Sequence, residues 1–480
     1  MSATDDQPTN LLFITSDQQR WDTLPCYGRE FMQTPNLDRL ATEGMVFEQC
    51  HVPAPSCVPC RAALLSGQWP STVSGMGNSC PPAIAPTWPQ RLGEAGFHTT
   101  AIGKMHFSPW NAMGGFDQRI IAEDKRHVYL PDDHVMYLRA HGLERPHPTD
   151  NPHYFEYHGA SVFPHDAGLH VDGFTGDRAT DWLRSNAQRP FAAWVSFPGP
   201  HDPYDPPAEM AEMYYDAPIP EPVGSRDELA TKPKAQARAG KSNARSAMYQ
   251  IDYTAASPEQ IRRWRAHYYA NISLIDDRVG KMLAVLEEAG VLDRTLVIYT
   301  SDHGDALGDH GMPFKSFFYD CMVRVPLLMR GPGVSAGSRC PALVSSLDLV
   351  PLFYDALGVD KPDTLQGQDL RPLLSDPDAP FREHVFSESG AATMVRDHRW
   401  KYAYYQTGES ELYDLEADPD ELTNLAAGEH GDVELEMRGH LLQHAFEVHR
   451  GQTHTPTPGG GRTDRYRAEV EAEYRARTGQ

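Results

Sequence analysis

Short apolar runs that end in polar residues constrain the fold of this chain more than any other feature of its sequence. Three such runs span residues 10–17, 191–197 and 295–300. Continuous apolar runs of this length are typical of strands buried on both faces of a parallel sheet. Segments 36–44 and 261–290 lie between them and have the apolar spacing of helices. The alternation predicts an α/β fold, with a central mixed, mostly parallel sheet flanked by helices.

The pattern changes near residue 375. Segments 384–388, 393–396 and 400–405 are short and separated by turn residues, which predicts a small antiparallel sheet with a helix. We therefore predict a catalytic α/β domain over 1–375, an α+β subdomain over 376–450, and a tail over 451–480 that helps to form an oligomer. Segments 123–158 and 204–258 are irregular, and they are either solvated loops or walls of an active site or subunit interface.

Charge and composition exclude several classes of partner. The chain has 480 residues and a formal net charge of −23, which disfavours nucleic acid or an anionic membrane as its partner. The first ten residues lack the basic and apolar regions of a signal peptide, and no apolar run approaches transmembrane length. We expect a cytoplasmic protein. Seven cysteines, an odd number, do not form a disulfide framework.

Polar side chains follow two of the predicted strands directly. Asp17 and Gln18 follow the first strand, and Asp302 and His303 follow the strand over 295–300. Sites in parallel sheets lie beyond the carboxyl ends of the strands. Oxygen ligands suit a hard divalent cation, and a single histidine leaves manganese or zinc open. The two pairs together therefore predict a metal site.

Two cysteines three positions apart, Cys57 and Cys60, have the spacing of a thiol redox pair or of half a zinc site. A zinc site needs two further soft ligands, and the other cysteines form no second such pair. A redox pair would open a helix beside a βαβ unit, but it leaves Pro59 and Arg61 without an explanation. Neither interpretation accounts for the whole stretch.

The pattern Cys57-x-Pro59-x-Arg61, followed by Ser66-Gly67, resembles the signature of the type I sulfatases. These are formylglycine-dependent enzymes of the alkaline-phosphatase-like superfamily. Further segments resemble the family in the expected order over most of the chain: LLFITSDQQRWDTLPCYG, AIGKMHF, FPGPHDPYDPP, SDHGDALGDHGMPFKSFFYD and ELYDLEADPDELTNLA. The nearest branches are choline sulfatases, iduronate-type sulfatases and phosphonate monoester hydrolases.

This resemblance implies that Cys57 is the precursor of formylglycine, made by a formylglycine-generating enzyme. It also implies one divalent metal ion, with Ca²⁺ expected and Mn²⁺ or another ion as the alternative. The metal ligands would be Asp17, Gln18, residue 57, Asp302 and His303. Gln18 departs from the family pattern, since many sulfatases have a second aspartate there, and it removes a formal charge from the site.

The resemblance also implies roles for residues outside the metal site. Arg61 would hold the hydrate of the aldehyde, and Lys104 and Lys315 would bind sulfate oxygens. His106 would act as the base that triggers sulfate release. The acid that protonates the leaving alcohol would be His201, which would also contact the substrate. Three further polar residues lie in or near these motifs: Asn78 either binds the substrate or shapes a turn, and Asp305 and His310 are interpreted as structural.

The predicted activity is the hydrolysis of small soluble sulfate monoesters, of the arylsulfatase type, by a homodimer or homotetramer. The alternative is a phosphonate monoester or phosphodiester hydrolase with the same machinery. Lys104 and His106 favour sulfate esters, whereas the Asp17-Gln18 pair also occurs in the phosphonate branch. A more distant alternative is a non-catalytic protein in which Cys57 and Cys60 stay reduced and bind metal.

Overall fold

The computed structural model describes residues 9–73, 86–125, 130–242 and 251–453. The strands are β1 Asn10–Asp17, β2 Met45–His51, β3 His98–Gly103, β4 Gln118–Ile121, β5 Phe191–Pro200, β6 Thr295–Ser301, β7 Arg324–Val325, β8 Leu327–Arg330, β9 Ser338–Ser345, β10 Val385–Glu388, β11 Ala392–Arg396, β12 Trp400–Tyr405 and β13 Ser410–Asp414.

The helices are α1 Pro35–Glu43, α2 Cys57–Ser66, α3 Trp88–Glu94, α4 Asp133–Ala140, α5 His153–Glu156, α6 Val171–Asn186, α7 Lys234–Ser242, α8 Pro258–Glu288, α9 Asp320–Val323, α10 Leu349–Ala356, α11 Arg371–Ser375 and α12 Gly431–Thr453. None of the helices in the described residues is both long enough and apolar enough to cross a membrane.

Within the described residues, nine strands form the central sheet in the order β4-β3-β5-β1-β6-β8-β2-β7, with β9 paired to β2. Strands β4, β3, β5, β1 and β6 run parallel to one another. Strand β8 is antiparallel to both β6 and β2, and β9 is parallel to β2. The predicted α/β fold with a mixed, mostly parallel sheet is therefore confirmed.

The central strand β1 explains why its sequence is apolar without alternation. Leu12 and Ile14 pack into a core that includes residues of α1, α6 and α8 on one face of the sheet. Leu11 and Phe13 pack on the opposite face, against residues of α2, α3 and α10. Since consecutive side chains of a strand point to opposite faces, helices on both sides require apolar residues at every position.

A second sheet, with four antiparallel strands in the part of the chain that the structure describes, follows the large sheet in the order β10-β11-β12-β13. Helix α12 packs on it through Met437 and Leu441, which contact Val395, Tyr402 and Leu412. The small antiparallel sheet with a helix is confirmed. The boundaries at 375 and 450 stay predictions, and the tail beyond residue 453 lies outside the described residues.

The two irregular segments contain more regular structure than the sequence indicates. Helices α4 and α5 lie within 123–158, and α7 lies within 204–258. α4 has eight residues, α5 only four, and neither has a long apolar stripe. Short helices of this kind depend on tertiary packing, so local periodicity does not reveal them.

Phe13 provides a test of the central core. Its ring lies 5.1 Å from that of Trp194 and 5.0 Å from that of Phe353, and it is fully buried. We expect Phe13→Ala to lower the free energy of unfolding by about 3–5 kcal/mol, because it removes these contacts and leaves a cavity. Urea unfolding measures the loss. The exposed Phe155 gives the control, and equal effects of Phe13→Ala and Phe155→Ala would contradict this description of the core.

Candidate active site

The site forms where parallel strands end at the same edge of the central sheet. β1 and β6 are parallel neighbours, with Ser16 opposite Ser301. Asp17 ends β1, and Asp302 and His303 directly follow β6. All three side chains are fully buried. The structure therefore brings Asp17, Asp302 and His303 together, as the sequence predicts.

Helix α2 brings Cys57 to the same point. Cys57 is its first residue, so the thiol lies at the helix end where unpaired N–H groups and the helix dipole favour negative charge. The Cys57 Sγ atom lies 3.2 Å from His303 Nε2 and 3.7 Å from Asp17 Oδ1. Cys60 is buried in the apolar core rather than facing this cluster, and burial raises the pKa of its thiol.

Four residues of this cluster fit a divalent cation. One ligand atom each from Asp17, Cys57, Asp302 and His303 lies within 4.8 Å of the others. Ligands on opposite sides of one Ca²⁺ lie about 5 Å apart, because metal–oxygen distances are about 2.3–2.6 Å. His303 Nδ1 donates to the Gly304 carbonyl at 2.8 Å, which leaves Nε2 as the atom directed at the cluster.

The two buried carboxylates of Asp17 and Asp302 also make this cluster a favourable place for a positive charge. Burial raises the pKa of Asp302, and the negative charge of Asp17 raises it further. Burial also opposes ionisation of Asp17, but cations led by Lys104 hold the pKa of Asp17 well below its ordinary value. A bound cation would stabilise both carboxylates in their ionised form.

The side chain of Gln18 is held by hydrogen bonds to two neighbouring side chains. Its amide oxygen accepts a hydrogen bond from Lys315 Nζ, and its amide nitrogen donates to Asp305. Its backbone N–H donates to Asp302 Oδ1 at 3.0 Å. The prediction that Gln18 also binds metal stays a prediction. Asp305, for which the sequence predicts a structural role, orients Gln18 beside the site.

Arg61 lies one turn after Cys57 on α2 and holds the two carboxylates. Its Nε donates to Asp302 Oδ2 at 2.8 Å, and its Nη2 donates to Asp17 Oδ2 at 3.2 Å. Its Nη1 donates to Ser196 Oγ and to the Lys104 carbonyl. These contacts make Arg61 a residue that orients the carboxylates. Its predicted contact with the aldehyde hydrate stays a prediction.

Lys104 enters the site from the end of β3. Gly103 has a φ of 97°, and a Cβ there would lie 2.0 Å from the Ser196 carbonyl oxygen, so only glycine permits this turn. The Lys104 ammonium lies 2.7 Å from Asp17 and 2.9 Å from Asp124. Burial lowers its pKa, but Asp124 and Asp17 outweigh burial and raise the pKa of Lys104 above its ordinary value.

Lys315 and His106 approach Cys57 from two further loops. Lys315 Nζ lies 3.1 Å from Cys57 Sγ. His106 follows Lys104 by two residues and also forms a side-chain hydrogen bond to the thiol. Burial raises the pKa of Cys57, but Lys315, Lys104 and the other neighbours lower it well below its ordinary value. The surroundings of residue 57 therefore stabilise an anion.

His201 directly follows β5 and is buried. Its Nδ1 donates to the Asp202 carbonyl at 2.6 Å. Its Nε2 has no hydrogen-bond partner among the described residues and lies 3.9 Å from Asp124 Oδ2. The imidazole is thereby held in one orientation, with Nε2 as the atom free to exchange a proton.

Sequence reasoning missed three residues that support the site. Asp124 binds Lys104, Ser196 binds Arg61, and the Glu123 carboxylate accepts the backbone N–H of His106. The acidic pair that follows the apolar end of β4 was the available signal for Glu123 and Asp124. The predicted substrate residue Asn78 lies outside the described residues.

Comparison with known proteins identifies the class of this site. The model of the family described as Sulfatase matches residues 9–359, and that of the N-sulphoglucosamine sulphohydrolase C-terminal region matches 308–447. A choline-sulfatase of Rhizobium meliloti is 30% identical over 448 residues, which cover 88% of this chain and 84% of that protein. An arylsulfatase of Clostridium perfringens is 29% identical, covering 88% and 90%.

Among solved structures, a phosphonate monoester hydrolase of Agrobacterium radiobacter matches with a TM-score of 0.79 and 26% identity. The match covers 92% of this chain and 96% of that one. Fold, site and family match together define a hydrolase of sulfuric esters. The chain belongs to the sulfatase family.

The metal site can be tested through Asp302. We expect Asp302→Asn to lower the affinity for a divalent cation by at least about tenfold, because it removes a ligand charge and the Arg61 ion pair together. The metal content of dialysed protein, measured by mass spectrometry, reports the change. Asp293→Asn, at an exposed position, serves as control. Equal metal content in Asp302→Asn and the control would contradict the assignment.

Proposed function

We propose that this protein hydrolyses sulfate monoesters of small soluble alcohols or phenols, with formylglycine at position 57 as the nucleophile. Position 57 carries the proposal, because it lies where a helix N-terminus, two lysines and a candidate metal site converge. The relatives named as an arylsulfatase and a choline-sulfatase support the substrate class. The Cys57 Sγ atom marks where a hydroxyl oxygen of the aldehyde hydrate would lie.

The metal in this proposal is Ca²⁺, with Mn²⁺ as the alternative. Asp17, Asp302 and His303 would hold it together with residue 57, and the carboxylates favour a hard cation. When bound, the cation supplies Lewis acidity that stabilises negative charge on the nucleophile and on the ester. Arg61 keeps both carboxylates oriented through its ion pairs.

In the first step, one hydroxyl of the hydrate that position 57 would carry would lose its proton to solvent, and the resulting alkoxide would attack the ester sulfur. Lys104 and Lys315 neutralise sulfate oxygens, which would otherwise repel the nucleophile. As the bond from sulfur to the ester oxygen breaks, His201 Nε2 gives its proton to the leaving alcohol oxygen. The product of this step is a sulfated hydrate on the enzyme.

The second step releases sulfate. His106 takes the proton from the remaining hydroxyl, and the bond between the hydrate carbon and the sulfate oxygen breaks. The aldehyde forms again, and water adds to it to restore the hydrate. A serine at this position has no second hydroxyl, so it could not expel sulfate by this route.

Three further features belong to this proposal. A formylglycine-generating enzyme matures Cys57, the protein works in the cytoplasm, and it assembles as a dimer or tetramer. The second candidate function is phosphonate monoester hydrolysis with the same machinery, which the structural neighbour supports. Tetrahedral oxyanions of similar size use the same cationic donors, so one site can accept both ester classes.

Paired substrates separate the two candidate functions. We expect kcat/KM to be higher for 4-nitrophenyl sulfate than for the 4-nitrophenyl ester of phenylphosphonate, and Cys57→Ala to abolish turnover of both. A reversed preference in the matured enzyme would favour the phosphonate hydrolase. Turnover that survives Cys57→Ala would contradict the nucleophile.

The acid role of His201 predicts a dependence on the leaving group. His201→Ala removes the proton donor, so we expect its loss of kcat to be larger for alkyl sulfates than for nitrophenyl sulfate, whose phenolate leaves unprotonated. Steady-state kinetics across a series of esters of graded leaving-group pKa measures this. His430→Ala, which removes an exposed side chain that contacts Trp400 of the small sheet, is the control. An equal loss for all leaving groups would contradict the assignment.

A further inference from the structure

Lys315 reaches Cys57 from a loop with unusual backbone geometry. Its two neighbours, Phe314 and Ser316, have φ angles of 64° and 99°. Residues with a side chain rarely adopt this left-handed region, and a bulky one such as Phe does so only where its surroundings enforce the conformation. The contacts around the loop should therefore reveal what fixes Lys315.

An aromatic arm, formed by Phe314, Tyr253 and Trp264, supports the loop from one side. The Phe314 ring meets the Tyr253 ring edge-on, with centroids 4.8 Å apart, and Tyr253 lies 5.5 Å from Trp264. Gly159 makes room for this arrangement, since a Cβ there would lie 2.4 Å from the Tyr253 ring. The Phe314 carbonyl also accepts the Ala306 N–H at 2.6 Å. Both the ring and the backbone of Phe314 are thus held.

A polar arm, formed by Gln18, Asp305 and Tyr204, holds the lysine head group. Lys315 Nζ donates to the Gln18 amide oxygen, and the Gln18 amide nitrogen donates to Asp305 Oδ2. The Tyr204 hydroxyl donates to the same oxygen at 2.7 Å. The Tyr204 ring lies 6.5 Å from that of Trp264. The polar arm therefore contacts Trp264 of the aromatic arm. Together the two arms form a closed ring of contacts that includes Lys315.

We propose that Phe314 is a positioning residue for Lys315. Its ring, packed against Tyr253, fixes the loop so that the Lys315 ammonium stays within hydrogen-bond reach of residue 57. Without the ring, the left-handed conformation loses its main apolar support, and the lysine is free to leave the site. This inference rests on the proposed function, in which Lys315 binds sulfate oxygens.

An effect of Phe314 that acts through Lys315 can be distinguished by experiment from two simpler roles of Phe314. If Phe314 contacted the substrate directly, its removal would change KM according to the size of the alcohol. If Phe314 only stabilised the fold, its removal would act independently of Lys315. Positioning predicts instead that the effect of Phe314 disappears once Lys315 is gone.

The test is a double-mutant cycle on the matured enzyme with 4-nitrophenyl sulfate. We expect Phe314→Ala to lower kcat/KM on the order of tenfold or more, since small misplacements of a binding group have effects of this size. Lys315→Ala should lower it further, and the double variant should equal Lys315→Ala. Phe314→Tyr, which keeps the ring contact, should restore most of the activity.

A matched control and a second variant keep the test decisive. Phe155→Ala removes an exposed ring that contacts Tyr154, whose hydroxyl lies 3.4 Å from the Tyr253 hydroxyl of the aromatic arm, and it should leave kcat/KM unchanged. If Phe314→Ala does not fold, Phe314→Leu keeps an apolar side chain without the edge-on ring contact, and the same cycle is run with it. Additive losses, or a loss that follows the size of the alcohol, would overturn the proposal.

Failure of the proposed function would be recognised separately, because wild-type enzyme would then turn over neither sulfate nor phosphonate esters. Hydrogen exchange of the amides in 312–318 decides the positioning role in that case. Faster exchange in Phe314→Ala but not in Phe155→Ala supports it. Unchanged exchange in Phe314→Ala overturns it.

Discussion

Two buried carboxylates held by one arginine are the constraint on which the rest of this site depends. Asp17 and Asp302 end neighbouring parallel strands, and both are fully buried. Like charges so close would repel each other without compensation, and Arg61 supplies it by binding one oxygen of each. Because Arg61 is on α2, the same ion pairs fix that helix and place Cys57, its first residue, over the carboxylates.

The ends of the parallel strands deliver the remaining groups to the same place. β3 leads to Lys104 and β5 leads to His201, so side chains distant in sequence become neighbours at one edge of the sheet. Asp124 then connects the two, through its contact with Lys104 and its proximity to His201. The sheet therefore provides a rigid base, while loops add Lys315 and His106.

Much of this arrangement follows from the sequence, for reasons that are physical. Apolar runs that end in Asp17 and Asp302 predict both the strands and the position of the metal site, because carboxyl ends of parallel strands share an edge. Cys57, Pro59 and Arg61 could be assigned only through a family resemblance, since their spacing alone also suits a redox pair. The short helices α4, α5 and α7 were not predicted, because tertiary contacts rather than local periodicity stabilise them.

Residues that act through others were the hardest to predict. Asp124 matches no motif that we identified. Phe314 lies inside a segment that resembles the family, but the sequence assigns it no role. The importance of both comes from contacts made across the fold. Gln18 shows the opposite case, a residue at a recognisable position whose side chain binds Lys315 and Asp305. Departures from a family pattern therefore need the structure before they can be interpreted.

In the proposed mechanism, residue 57 is an aldehyde in the working enzyme. The mass of the peptide that contains residue 57, taken from protein made in its native host, tests this directly. We expect the mass of a peptide in which an aldehyde replaces the CH₂SH group of cysteine. An unmodified thiol in fully active protein would contradict the proposed mechanism.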